Sequence, residues 1–133
     1  AGIVHVSTHA VKSDDVVRDD LDRIVVLREL ARAQQKAGWR CLAYCVMTTH
    51  YHLLLEVEDN ALPLGMQVLN FRYAVAFNAR HATRGHVFAR RYDARRITDE
   101  AQTMIVYSHL ALNPVQAEMF AEPATRHWSR SDE

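Results

Sequence analysis

His50 and His52 stand one residue apart inside the run 44–56, which otherwise reads as an apolar strand. In an extended chain alternate side chains share a face, so both imidazoles point the same way. A strand rises roughly 3.3 Å per residue, which sets the two Cα atoms ~7 Å apart and lets the rings converge on one divalent ion. Two imidazoles do not complete a catalytic shell, so a third ligand is expected from another element packed against this strand. The same pattern also suits two partly buried, hydrogen-bonded core histidines.

A second candidate is the stretch 80–96, where Arg80, Arg84, Arg90, Arg91, Arg95 and Arg96 face a single acid, Asp93, with His81, His86, Phe88 and Tyr92 interleaved. Arginines mixed with aromatics suit phosphate contact and base stacking, although a basic run also serves as a solvated face. The chain as a whole carries no net charge, with 16 Lys+Arg against 16 Asp+Glu, which argues against a uniformly basic nucleic-acid binder.

These residues need elements to hold them. With 133 residues, 1–133 is expected to form one domain with a real core. No stretch approaches a membrane-spanning length and the start lacks the zones of a signal peptide, so a cytoplasmic protein without membrane contact is expected. The chain opens at Ala1-Gly2 rather than Met, which leaves room for residues upstream. Cys41 and Cys45, four apart in an expected strand, would have Cα atoms roughly 13 Å apart, too far for a disulfide, and read as reduced core residues.

Alternation predicts a first strand over 3–11. Asp19 or Asp20 caps a helix to about Lys36, with Leu21, Ile24, Leu27, Leu30 and Ala31 as its buried stripe and Gly38 as its stop. Two strands, 39–47 and 50–57, meet around Thr48-Thr49 as a hairpin. Tyr51, Leu53 and Leu55 on one face and Leu54 on the other imply a central strand covered on both sides. Pro63 starts a second helix to about Arg80, with Met66, Leu69, Tyr73, Ala76 and Phe77 recurring at helical spacing. A strand over 85–97 follows, then a third helix capped by Thr98-Asp99-Glu100 and ending near Asn113, and a short helix from Pro114 to Phe120. This order predicts an α+β, ferredoxin-like (split βαβ) antiparallel sheet with flanking helices and an added C-terminal helix.

Taken in chain order, several stretches resemble the single-tyrosine HUH transposases, specifically the REP-associated tyrosine transposases or IS-type transposase-like domains. They are Val4-His5-Val6, Gly38-Trp39, Met47 through Glu56, Gly65-Met66-Gln67 with Tyr73 and Phe77-Asn78, Arg84 through Phe88, Leu112 through Ala117, and Trp128-Ser129. The resemblance implies a metal-dependent enzyme that cuts and rejoins single-stranded DNA near hairpins. It makes His50 and His52 ligands of Mg²⁺ or Mn²⁺, with Asn113 completing the shell. It also implies a tyrosine one helical turn before Asn113, which attacks phosphorus and holds a covalent link. Some members exchange C-terminal helices, so a homodimer is admitted.

Here the residue four before Asn113 is His109. On a helix His109 lies about 40° from Asn113 and Tyr107 about 120° away, so Tyr107 should face elsewhere, in a packed stripe with Thr103, Met104, Leu110 and Ala111. His109 is open to four roles: further ligand, nucleophile, base for water, or remnant of a lost nucleophile. The catalytic candidates are therefore His109 and Tyr107, and the DNA-binding candidates Arg84, Arg90, Arg91, Arg95 and Arg96. The alternative is a catalytically inactive relative serving as a DNA hairpin-binding module. A ferredoxin-like RNA-binding domain ranks below both, because no pair of exposed ring-stacking motifs is evident.

Overall fold

The computed structural model describes residues 2–58, 60–89 and 91–111. In chain order it contains β1 (Gly2–His9), α1 (Asp20–Ala37), β2 (Arg40–Val46), β3 (His50–Val57), α2 (Leu62–His81), β4 (Asp93–Ile97) and α3 (Glu100–Ala111). The strands form one sheet in the order β2-β3-β1-β4, and every neighbouring pair is antiparallel. This is the α+β, split βαβ arrangement expected, with β3 inserted between β1 and β2. Among the described residues no helix is long and apolar enough to cross a membrane.

Local chemistry sets the boundaries. The Asp19 carboxylate accepts from the Asp22 amide at 3.0 Å and starts α1. Gly38, at φ +73°, ends it with its N–H donating to the Gln34 carbonyl. Asp99 accepts from the Ala101 amide at 2.8 Å and opens α3.

The sheet is covered on both faces, as the apolar run of β3 requires. Val4, Val6, Tyr44, Val46, Tyr51, Leu53 and Leu55 pack under α1 and α2, which contribute Leu30, Met66, Leu69, Tyr73 and Phe77. Ala43, Cys45, Leu54 and Ile97 on the opposite face meet Leu110 of α3, with Val106 and Tyr107 alongside. A β-bulge between Cys41 and Ala43 reverses the alternation, so the two cysteines join different cores. Both are buried, as expected.

Three expectations need correction. The buried face of α1 is not the stripe through Leu21, Ile24 and Ala31: Leu21 and Ile24 are 50 % and 55 % exposed, and Ala31 is exposed too. Polar residues turn inward instead. Asp22 meets Arg80 and His81, Glu29 takes Arg28, Arg32 and Arg72, and Arg23 donates to the Val46 carbonyl at 3.0 Å. Partners waiting on α2 and β2 make that burial tolerable, and apolar periodicity alone does not reveal them.

The fourth strand is shorter than 85–97, because pairing with β1 covers only Asp93–Ile97. Consecutive Val87 and Phe88 both pack into the helix-side core, whereas successive residues of a regular strand face opposite sides of the sheet, and Gly85 turns at φ +89°. Met104 is 57 % exposed and does not belong to the packed stripe expected around Tyr107. The end of α3 near Asn113 and the short helix 114–120 lie outside the described residues.

Candidate active site

The hairpin that carries His50 and His52 is pinned from outside. Met47 N–H donates to the His50 carbonyl at 2.8 Å, closing the turn. The Thr48 carbonyl accepts from the amides of Val16 and Val17, and the Thr49 carbonyl from Ala10. His50 therefore opens β3 at a fixed place beside the end of β1.

On β1, His5, Ser7 and His9 alternate onto the same sheet face as His50 and His52. His9 stands directly opposite His50, Ser7 opposite His52 and His5 opposite Leu54. The His9 and His50 rings stack with centroids 5.1 Å apart and 24° between planes, and the His50 and His52 rings meet edge to face at 5.0 Å. His5 Nε2 lies 3.2 Å from His52 Nδ1, and Thr49 Oγ1 lies 3.0 Å from His50 Nδ1.

Crowding lowers the proton affinity of this group. Burial first, then the positive charge of His50, His5, His9 and His109, pulls His52 down to about 4. His50 is lowered by burial and by His9. His5 is lowered by burial, then by Arg95 and His109. All three imidazoles are neutral near pH 7 and offer lone pairs to an electrophile.

The donor set fits a divalent cation in part. Imidazole ligands commonly use one nitrogen for the ion and the other for a hydrogen bond, and the Nδ1 contacts of His50 and His52 supply that outer bond. Among the described residues no group of three or more His, Cys, Asp or Glu side chains is arranged to hold an ion. The structure brings the expected pair His50 and His52 together, with ring centroids 5.0 Å apart, and the expected third ligand, Asn113, lies outside the described residues.

Helix α3 crosses this sheet face. His109 is exposed, yet near enough for its charge to act on His5 and His52. Tyr107, expected to face elsewhere, is partly buried against the core of Ala43, Cys45, Leu54 and Leu110.

The arginines do not form one patch. Arg80 leaves the basic group altogether, because Asp19 and Asp22 hold its guanidinium. Arg95 sits opposite His5 and faces the histidines, lining a depression of about 360 Å³ with His5, Ser7, Asp93 and Ala94. Arg96, one residue on, pairs with Val4 and points to the other face, where its guanidinium covers Gly2. Arg84 and Arg91 are exposed on the irregular segment between α2 and β4, and Arg90 lies outside the described residues. That segment is tied to the site: Val11 N–H donates to the Val87 carbonyl at 3.0 Å and Ala89 N–H to the His9 carbonyl at 2.8 Å.

A family model described as "Transposase IS200 like" matches residues 3–108. The chain belongs to the IS200-like transposase family. Among solved structures, one similar to this transposase-family chain is the REP-associated tyrosine transposase bound to a REP hairpin. Identity is 10 %, the TM-score is 0.67, and coverage is 87 % of this chain and 68 % of that one. A second is the crystal structure of a chain assigned as a transposase from Deinococcus radiodurans R1. There identity is 16 %, the TM-score is 0.59, and coverage is 78 % of this chain and 85 % of that one. At these identities the likeness shows the fold. No curated protein sequence matches the chain.

Sequence reading of this IS200-like chain found His50 and His52 but not their neighbours His5 and His9. Their signal is the alternation His5, Ser7, His9 on one strand face, which carries meaning only once β1 is known to pair with β3.

Proposed function

We propose that this IS200-like chain is a metal-dependent endonuclease and strand transferase acting on single-stranded DNA at hairpin-forming sequences. The observation carrying this reading is the convergence of neutral His50 and His52 on the sheet face crossed by His109, beside a segment that displays Arg84 and Arg91.

His50 and His52 would hold Mg²⁺ or Mn²⁺, with Asn113 as the proposed third ligand. When bound, the ion supplies Lewis-acid polarisation of the scissile phosphate and neutralises charge developing on it. The chain's own residues do the rest. Arg95 beside His5, with Arg84, Arg91 and the proposed Arg90, engages backbone phosphates, while Arg96 serves the opposite face of the edge strand. The depression at Ser7 and Arg95 gives the strand a path toward the histidines.

His109 occupies the attacking position. Its imidazole nitrogen bonds to phosphorus, the bond from phosphorus to the 3′-oxygen breaks, and that oxygen leaves as a hydroxyl, taking through water the proton that the other ring nitrogen gives up. The nitrogen–phosphorus link stores the energy for rejoining when a DNA hydroxyl attacks in turn. Tyr107 is assigned to packing, which its place against the Leu54 and Leu110 core supports.

Incubation with Mn²⁺ and labelled hairpin oligonucleotides tests this reading. Nicks that vanish in His50→Ala and His52→Ala support it; intact DNA throughout removes it. A hairpin-binding module without cleavage is the second reading, favoured by the histidine where the family resemblance implies a tyrosine. Retention of hairpins without nicking, unchanged in His109→Ala, would identify it.

A further inference from the structure

The contact between His5 Nε2 and His52 Nδ1 is 3.2 Å long and joins two ring nitrogens. Such a contact needs one proton between them, carried by one ring and accepted by the other. If His5 carries it, His52 accepts at Nδ1 and keeps its own proton on Nε2, where no lone pair remains. If His52 carries it, Nε2 is open. The two arrangements have the same heavy atoms and opposite consequences for ion binding.

We propose that His5 is a positioning residue for the ion site: it accepts at Nε2, holds the His52 proton on Nδ1, and so keeps the His52 Nε2 lone pair available. The inference rests on the reading of His50 and His52 as metal ligands and adds a residue to it. Its basis is strand register. Ser7 stands directly across from His52, so His5 is the diagonal neighbour, and the small Ser7 side chain leaves room for the His5 ring to lean over. The rings sit with centroids 5.3 Å apart at 33°, an offset that serves an edge-to-edge N–H···N bond rather than stacking. Backbone pairing on both sides of β1, to β3 and to β4, fixes the His5 position, which an outer-shell group must have to orient a ligand. Thr49 Oγ1 takes the equivalent place on His50 Nδ1, so each of the paired histidines has its own outer partner.

Long-range ¹⁵N–¹H correlation spectra of the metal-free chain read the tautomers directly. Mn²⁺ affinity of the unmodified chain, His5→Phe and His5→Gln then reads their consequence. The expected results are His52 protonated at Nδ1, a loss of roughly tenfold to a hundredfold in Mn²⁺ affinity for His5→Phe, and recovery in His5→Gln, whose Oε1 accepts in place of Nε2. His52 protonated at Nε2 in the unmodified chain overturns the proposal, as does His5→Phe binding Mn²⁺ as tightly as the unmodified chain. Should His5→Phe fail to fold, the tautomer of the unmodified chain decides. An unmodified chain that takes up no Mn²⁺ removes the metal reading and this proposal together, whereas an unaffected His5→Phe removes only the proposal.

Discussion

The Asp22 carboxylate on α1 accepts a 2.7 Å charge-assisted hydrogen bond from Arg80 on the last turn of α2, with Asp22 almost fully buried. The same carboxylate accepts from the Arg18 amide and contacts His81 Nε2 at 2.9 Å, so one side chain ties the start of α1 to the end of α2. Asp22→Ala is expected to lower stability by about 2–3 kcal/mol, since it strands polar groups arranged around a buried acceptor. Urea unfolding measures it, and a decrease below about 0.5 kcal/mol would contradict the assigned role.

The helix-side core has an equally specific contact. A Cβ on Gly65 would lie 2.2 Å from the Trp39 ring, whose Nε1 donates to the Ala61 carbonyl at 3.1 Å. The indole is anchored and buried, so it has little room to give way. Gly65→Ala should cost about 1–3 kcal/mol by overpacking, read as a lower midpoint in thermal unfolding. A variant as stable as the parent would show that Trp39 can move aside.

Element order and the paired histidines were legible in the sequence, because alternation and helical spacing leave local marks. Gly38 and Pro63 marked helix boundaries for the same reason. The face of α1 was not legible: Asp22, Arg23 and Glu29 turn inward only because Arg80, His81, Arg72 and the Val46 carbonyl await them from distant parts of the chain. The segment before β4 misled in the opposite sense, since Val87, Phe88 and Ala89 look like a strand but dock on the end of β1 through isolated bonds. His5 and His9 join the site through cross-strand register, which no single strand encodes.

The histidine cluster makes stability depend on pH. His52 has a folded pKa of about 4, below the ordinary 6.5, so the unfolded chain binds the proton more readily. The stabilisation is therefore complete above pH 6.5 and is lost as pH falls through 6.5 toward 4. Groups acting on the cluster from other elements are His5 and His9 of β1, His50 of β3, Arg95 of β4 and His109 of α3. His52→Gln should flatten the stability profile across that window in the metal-free chain. A profile as steep as the parent's would place the dependence elsewhere.

Arginine placement predicts unequal contributions to DNA binding. Arg95 faces the histidines, whereas Arg96 covers Gly2 on the other face. Replacing Arg84, Arg91 and Arg95 with Gln should weaken hairpin binding for all sequences and reduce the slope of log affinity against log salt by roughly one for each phosphate left without its arginine. Arg96→Gln alone should change the slope less than Arg95→Gln alone. Equal effects would mean that both faces of β4 meet the DNA.

The most direct measurement is mass mapping of any nucleotide left covalently attached after incubation with Mn²⁺ and hairpin DNA under denaturing conditions. The account predicts a phosphoramidate adduct on His109, absent in His109→Ala and after chelation of the ion, and none on Tyr107. Mn²⁺-loaded protein that retains hairpins but yields neither nick nor adduct would contradict it.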